Sequence, residues 1–247
     1  MDAATIVAIL RDRANPANVE GMARYGISGV GALGVPVPVL RRLAKEAGRS
    51  HELAAGLWRS GIHEARIMAS LVEEVGRVTP RQMDRWAHAV DSWDVCDQLC
   101  QNLFRYTPFA FEKAAQWARA EPEFVRRAGF SLMAGLCHKA STAPDERYEA
   151  FLPLIAEAAG DERNMVKKAV NWALRQIGKR NPRLRGKAIR AAERIHAIDS
   201  RSARWIASDA LRELRRAGSA PVISTTAGPR RIRGTTRGGA RGTARPG

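Results

Sequence analysis

Over roughly the first 216 residues the apolar positions recur at intervals of three and four, and no stretch keeps the two-residue alternation of a half-buried strand. That interval gathers apolar side chains into a stripe on one face of a helix, so the pattern predicts an all-α fold. It is interrupted at Asn15-Pro16, Pro36 and Pro38, Gly61, Thr79-Pro80, Asp91-Ser92, Thr107-Pro108, Glu121-Pro122, Ala143-Pro144, Asp161, Asn181-Pro182 and Asp199-Ser200. Residues of these types cap a helix, set its first turn or break the preceding one. Their spacing predicts about a dozen helices of ten to sixteen residues joined by short turns.

Some of the helices resemble one another. EFVRRAGFSLMAGLC from Glu123 and NMVKKAVNWALRQIG from Asn164 share a valine, two basic residues, an alanine and an apolar stripe at an offset of 41 residues. HEARIMASLVEEVG from His63 and SARWIASDALREL from Ser202 are looser relatives. Two helices per unit of about forty residues is the pattern of HEAT-like repeats, which stack into a curved α-solenoid around a continuous core. The period is imperfect, which leaves an irregular helical bundle open.

Charge changes the picture. The 247 residues carry 41 Lys plus Arg against 25 Asp plus Glu, a formal charge of +16, and such a balance favours a polyanionic partner such as nucleic acid. From Ser219 onward the chain reads SAPVISTTAGPRRIRGTTRGGARGTARPG, with six arginines, no acid and little that could pack. The expected organisation is therefore a helical domain over 1–218 and a disordered arm over 219–247, an electrostatic arm for phosphates or a solubilising tail. Without the arm the domain still carries +10. Between Asn164 and His196 ten basic residues face one acid, Glu193. In a stack of helical pairs, one helix of each pair lines the concave side. Arg126, Arg127, Lys167 and Lys168 fall at equivalent places in two such helices and predict a basic concave face. Arg175, Lys179, Arg180 and Arg183 extend it as candidate phosphate contacts. No zinc-finger spacing, RNP motif or glycine-rich phosphate loop is present, so recognition is expected to read backbone and shape.

The MDAATIVAILRDRAN start lacks the features of a secretory signal, and no window is long and apolar enough to span a membrane, so a cytoplasmic, nucleoid-associated monomer is expected. Cys96, Cys100 and Cys137 read as small core residues rather than a disulfide framework. No metal site or cofactor motif stands out. His63, His88 and His138 read as surface or satisfied core residues, and Trp58, Trp86, Trp117 and Trp205 as packing residues.

One short stretch, DSWDVCDQ from Asp91, places Trp93 and Asp97 one turn apart on the same helical face. By itself it reads as a capped helix start with a half-buried tryptophan. Asp91 or Ser92 is the expected cap, and Asp94 is expected to sit in the first turn, favourable to the helix dipole.

WDVCD at Trp93 to Asp97, FVRRA at Phe124 to Ala128 and VKKAVNWALRQIGKRNP at Val166 to Pro182 resemble the DNA alkylation repair family of AlkD-type, HEAT-like repeat DNA glycosylases. GMARYGI at Gly21 to Ile27 and LGVPVPVLRRLAKE at Leu33 to Glu46 are similar to the family's N-terminal region. The resemblance covers about residues 1 to 216. It implies hydrolysis of the N-glycosidic bond of cationic N3- and N7-alkylated purines in duplex DNA, with the lesion kept in the stack. By motif position it implies Asp97 as the catalytic carboxylate, Trp93 and Trp172 as aromatic partners, Arg127 as a cleft arginine holding DNA, and Tyr25 as a DNA contact. A non-catalytic DNA-binding or scaffold protein of the same fold is the alternative. The chemistry is consistent with one carboxylate: an alkylated purine already carries the positive charge, leaves as a neutral base and requires no general acid. The carboxylate then stabilises an oxocarbenium-like sugar and positions water. Each aromatic face offers such a cation about 0.5 to 2 kcal/mol.

Overall fold

The computed structural model describes residues 1–138 and 141–219. The arginine-rich arm lies outside the described residues from position 220. Fourteen α-helices are present among the described residues, and no strand. They are α1 (Ala3–Asp12), α2 (Pro16–Ala23), α3 (Val37–Ala47), α4 (His51–Arg59), α5 (His63–Val72), α6 (Pro80–His88), α7 (Trp93–Asn102), α8 (Ala110–Trp117), α9 (Glu123–Leu136), α10 (Asp145–Glu149), α11 (Phe151–Glu157), α12 (Asn164–Lys179), α13 (Pro182–His196) and α14 (Arg201–Ser219). Short 3-10 turns follow α5 at Val75–Arg77 and α7 at Phe104–Tyr106.

Most helix starts fall at the interruptions in the apolar pattern, because the cap chemistry is local. Asn15, Thr79 and Asn181 each accept from the backbone N–H three residues on, with Pro16, Pro80 and Pro182 setting the first turn. The lengths run from five to nineteen residues, wider than expected. Part of the spread has a plain cause: Pro153 lacks an N–H and its ring would crowd the carbonyl of Glu149, so the chain breaks at Ala150 into α10 and α11.

The helices stack as a HEAT-like α-solenoid. One row runs α3, α5, α7, α9, α12, α14, each packed on the next, while α8 backs α9 and α13 backs α12 and α14. One continuous apolar core extends from Ile6 on α1 to Leu214 on α14. Gly129 permits the closest approach behind the row: a Cβ there would stand 2.5 Å from the Ala118 nitrogen and 2.8 Å from the Trp117 carbonyl carbon.

Polar rungs tie the row together at regular offsets. His63 reaches Asp94 and Asn102 reaches Ser70 across α5 and α7. Asp97 meets Arg127 and Gln101 Nε2 donates to the Ser131 carbonyl across α7 and α9. Arg127 reaches the Met165 carbonyl, 38 residues on, and Asn171 reaches Asp209 and Arg175 reaches Glu213 at the same offset. This repeat of contacts sharpens the 41-residue similarity of α9 and α12: homologous helices sit side by side, slipped by about one turn.

The side chains read as packing residues take that role. Cys96 and Cys100 are buried, and burial raises the Cys137 thiol to about 12. Trp58 stacks on Trp86 at 4.4 Å, and Trp117 is buried with its Nε1 donating to Asp84. Trp205 is instead partly exposed, with the Lys167 ammonium 5.4 Å from its ring centre.

Candidate active site

Trp93 opens α7, and Asp97 stands one turn further along the same face. Arg127, from the first half of α9, forks onto Asp97: Nε donates to Oδ1 at 3.1 Å and Nη2 to Oδ2 at 2.7 Å. Its third nitrogen, Nη1, donates to the Met165 carbonyl at 2.7 Å, and its guanidinium lies 5.5 Å from the Trp93 ring centre. The Trp93 indole N–H in turn donates to the Tyr25 carbonyl at 3.1 Å. Four elements thus converge: the turn after α2, and the first halves of α7, α9 and α12.

Above the pair opens a cleft of about 410 Å³, lined by Tyr25, Gly26, Trp93, Arg127, Met165 and Lys168 with Arg24 and Asn164. The strap Tyr25–Gly26 crosses it closely. Gly26 has φ +70°, and a Cβ there would fall 2.9 Å from the Met165 methyl, so glycine lets the chain bridge α7 and α12. Tyr25 itself is 74% exposed.

Burial raises the Asp97 carboxyl above its ordinary value, while Arg127 and the Ser131 hydroxyl pull it back. A guanidinium is charged at any ordinary pH and its fork requires two acceptor oxygens, so the bidentate geometry is that of a carboxylate. The Asp97 side chain keeps 17% exposure and Arg127 6%; of the two, Arg127 lines the cleft, and Asp97 is joined to it through the fork.

Asp94 has a separate partner. It accepts from Ser92 Oγ at 2.6 Å and pairs with His63 Nε2 at 2.8 Å. Burial opposes both charges, but the contact outweighs it, lowering Asp94 and raising His63. Ser92 occupies the cap position of α7 without bonding its N–H groups; the hydroxyl serves Asp94 instead and accepts weakly from the Ser28 N–H at 3.4 Å. Asp94 and His63 line a second, largely apolar hollow of about 460 Å³ beneath α2, which also takes in Tyr25. Read singly, neither residue announces this pairing, because 31 positions separate them.

The remaining expected site residues are spread along the row. Trp172 is half-buried on α12, on the stripe of Met165 and Lys168 but about 10 Å of helix beyond Met165, and no ring contact joins it to Trp93 among the described residues. Lys168 lines the cleft, whereas its neighbour Lys167 covers Trp205. Arg126 points away from Arg127, donating to the Ala118 carbonyl and to Asp161. Arg175 pairs with Glu213 at 2.6 Å and lies 3.5 Å from Asp209, and Lys179 also meets Glu213. Arg180 donates to the carbonyls of His138 and Ser141 and lies 4.0 Å from the Tyr148 ring centre. Arg183 meets Asp145, Glu146 and Glu149. The ten-to-one basic excess of 164–196 is thus partly neutralised in space by acids from α10 and α14. Met165, Asn164, Arg24 and Gly26 line the cleft without having been singled out in the sequence. Met165 in particular contributes a backbone carbonyl, which no side-chain pattern reveals. No group of three or more His, Cys, Asp or Glu among the described residues is placed to hold a metal ion. No described helix is long and apolar enough to cross a membrane.

Fold and cleft together define a HEAT-like repeat protein with a carboxylate–arginine pair between consecutive repeats. The chain belongs to the DNA alkylation repair enzyme family, whose model matches residues 6–214. Among solved structures it is similar, at a TM-score of 0.74 and 18% identity over 88% of this chain and 95% of the other, to a protein of a new family related to the HEAT-like repeat DNA glycosylases with affinity for branched DNA structures. Two designed armadillo repeat proteins align at a TM-score of 0.33 and 14% identity, over 71% and 72% of this chain and 91% and 81% of theirs; likeness at that level carries no weight. No curated protein matches the chain.

Proposed function

We propose that the protein is a monomeric DNA glycosylase. It hydrolyses the N-glycosidic bond of cationic N3- or N7-alkylated purines in duplex DNA, without flipping the base. The observation that carries this reading is the Asp97–Arg127 pair beside Trp93, at a cleft that Trp93 and Arg127 line, with the Asp97 side chain still 17% exposed. In the reaction the bond from C1′ to the purine nitrogen breaks, its electron pair leaves with the base, and the base departs neutral. Asp97 faces the sugar as positive charge grows on it and orients the water whose oxygen then bonds to C1′, while that water's proton passes to the carboxylate or to solvent. Trp93 presents an aromatic face to the same charge. Trp172 would act further along the α12 stripe, against the flanking sugar. Arg127 holds Asp97 in place rather than reaching a phosphate, since three of its donors are already engaged. Phosphate contacts fall to Tyr25, Lys168 and the cations further along the row. Cytoplasmic, nucleoid-associated action is in keeping with this substrate.

A second reading, a non-catalytic DNA-binding or scaffold protein of the same fold, is favoured by one observation: both Asp97 oxygens are occupied by Arg127. Incubation with duplex containing N7-methylguanine separates the two. The glycosylase releases free base, and Asp97→Asn lowers the rate by about 10² to 10³. No release at high enzyme concentration sinks the enzymatic reading; unchanged release by Asp97→Asn sinks the assignment of the carboxylate.

A further inference from the structure

Beyond the far end of α7 from Trp93 lies a polar hollow of about 530 Å³. Arg41 on α3, Arg49 in the α3–α4 connection and Arg105 in the 3-10 turn after α7 all line it, and no described Asp or Glu does. Arg126, Arg175, Lys179 and Arg183 each meet a carboxylate. The three arginines here find only neutral acceptors. Arg41 Nη2 reaches Gln98 Oε1 at 3.4 Å, Arg49 Nη1 reaches the Glu73 carbonyl at 2.7 Å, and Arg105 reaches Gln101 Oε1 at 3.4 Å and the Tyr106 hydroxyl. The carboxylates next to the Arg49 acceptor are turned elsewhere: that of Glu73 serves His51 and Gln82, and Glu74 accepts from the His51 N–H. The Nε of Arg105 is buried with no partner at all.

Three like charges from separate elements, gathered without a counter-charge and with one buried donor unsatisfied, form an arrangement that an oxyanion would complete. Guanidinium forks match the oxygens of a phosphate two at a time. We propose that this hollow is a phosphate-binding site that grips DNA away from the reacting nucleotide, Arg105 standing on the order of 12 Å along the helix axis from Asp97. The site rests on the reading of DNA as partner, but not on Asp97 or on catalysis. The phosphate it takes is either a diester within a strand or a monoester at a strand end.

The test uses the full chain with Arg49→Gln/Arg105→Gln, the charge-keeping pair Arg49→Lys/Arg105→Lys, and Arg41→Gln. Three probes are titrated: undamaged blunt duplex with 5′-hydroxyl ends, the same duplex with 5′-phosphates, and inorganic pyrophosphate. The glutamine pair is expected to bind both duplexes about tenfold more weakly, with the salt slope reduced by about 0.9 for one phosphate released, and the lysine pair to keep most of the slope. A loss confined to the 5′-phosphorylated duplex assigns the site to strand ends, and a loss confined to pyrophosphate overturns DNA as the source. Equal binding of all three probes by wild type and the glutamine pair overturns the site. If the glutamine pair melts lower than wild type, Arg41→Gln gives the same readout, since it gives up only one long contact to Gln98. Base release is measured in parallel: its absence in the wild type overturns the glycosylase and leaves this site standing.

Discussion

At the residue scale, two aspartates three positions apart are separated by their partners. Asp97 is held by a guanidinium that lines a cleft; Asp94 is held by a histidine and a serine and itself lines an apolar hollow. Because burial raises the Asp97 carboxyl, base release should fail on acidification at a pH above the ordinary aspartate value of about 3.9. A single-turnover pH profile measures this, and an acid limb at or below that value removes burial as the cause. For His63 the sign runs the other way. Its folded pKa is raised, so its contribution to stability is full below about 6.5 and is lost as pH rises through the folded value; Asp94, lowered, withdraws its share only as pH falls below the ordinary carboxylate range. The thermal midpoint of the wild type should therefore drop between pH 6 and 8.5 by more than that of His63→Gln. Parallel curves would mean that the pair stores no such linkage. The Trp93–Asp97 spacing was legible in the sequence because helical neighbours lie four apart, whereas Arg127 as their clamp was not. That role depends on a 30-residue return across the fold.

At the scale of elements, the helix starts were legible wherever a cap and a proline stand together, since both act within four residues. The interval of apolar positions likewise gave the class of every long helix. The register between helices was not available from it. α9 lies against α8 so closely that Gly129 has no room for a methyl group, and both of the nearest obstacles are backbone atoms that cannot rotate aside. Gly129→Ala should then destabilise the fold by about 1 to 3 kcal/mol, despite alanine's better helix propensity. Chemical denaturation decides: a neutral or stabilising alanine would show that α8 and α9 can slide apart at little cost. The Pro153 break is the converse case, a local signal whose effect is to split what the apolar pattern runs together as one helix.

At the scale of the whole molecule, charge is where sequence and space differ most. Along the chain 164–196 is nearly all basic, but α14 brings Asp209 and Glu213 onto Arg175 and Lys179, and α10 brings Asp145, Glu146 and Glu149 onto Arg183. If the α12–α14 face carries DNA, Glu213 restrains its affinity. Glu213→Gln should tighten binding to undamaged duplex several-fold and steepen the salt slope by up to about 0.9 per cation released. Unchanged or weaker binding would place that face off the path of the DNA. The three arginines of the α3–α7 hollow are the opposite case. They stand far apart in the chain, so no local run of charge marks them, and only the stacking of the helices collects them.

The sequence alone determined the helical class, most helix starts and the family, because each rests on residues within a turn or on motifs kept in order, while its imperfect period left the repeat open against an irregular bundle. Tertiary structure decided which of two neighbouring aspartates meets arginine, which cations keep their charge to themselves and which are paired across the row. Those outcomes depend on side chains 30 to 40 residues apart being brought into hydrogen-bond range. No periodicity along one helix encodes that distance; the register of one helix on the next sets it.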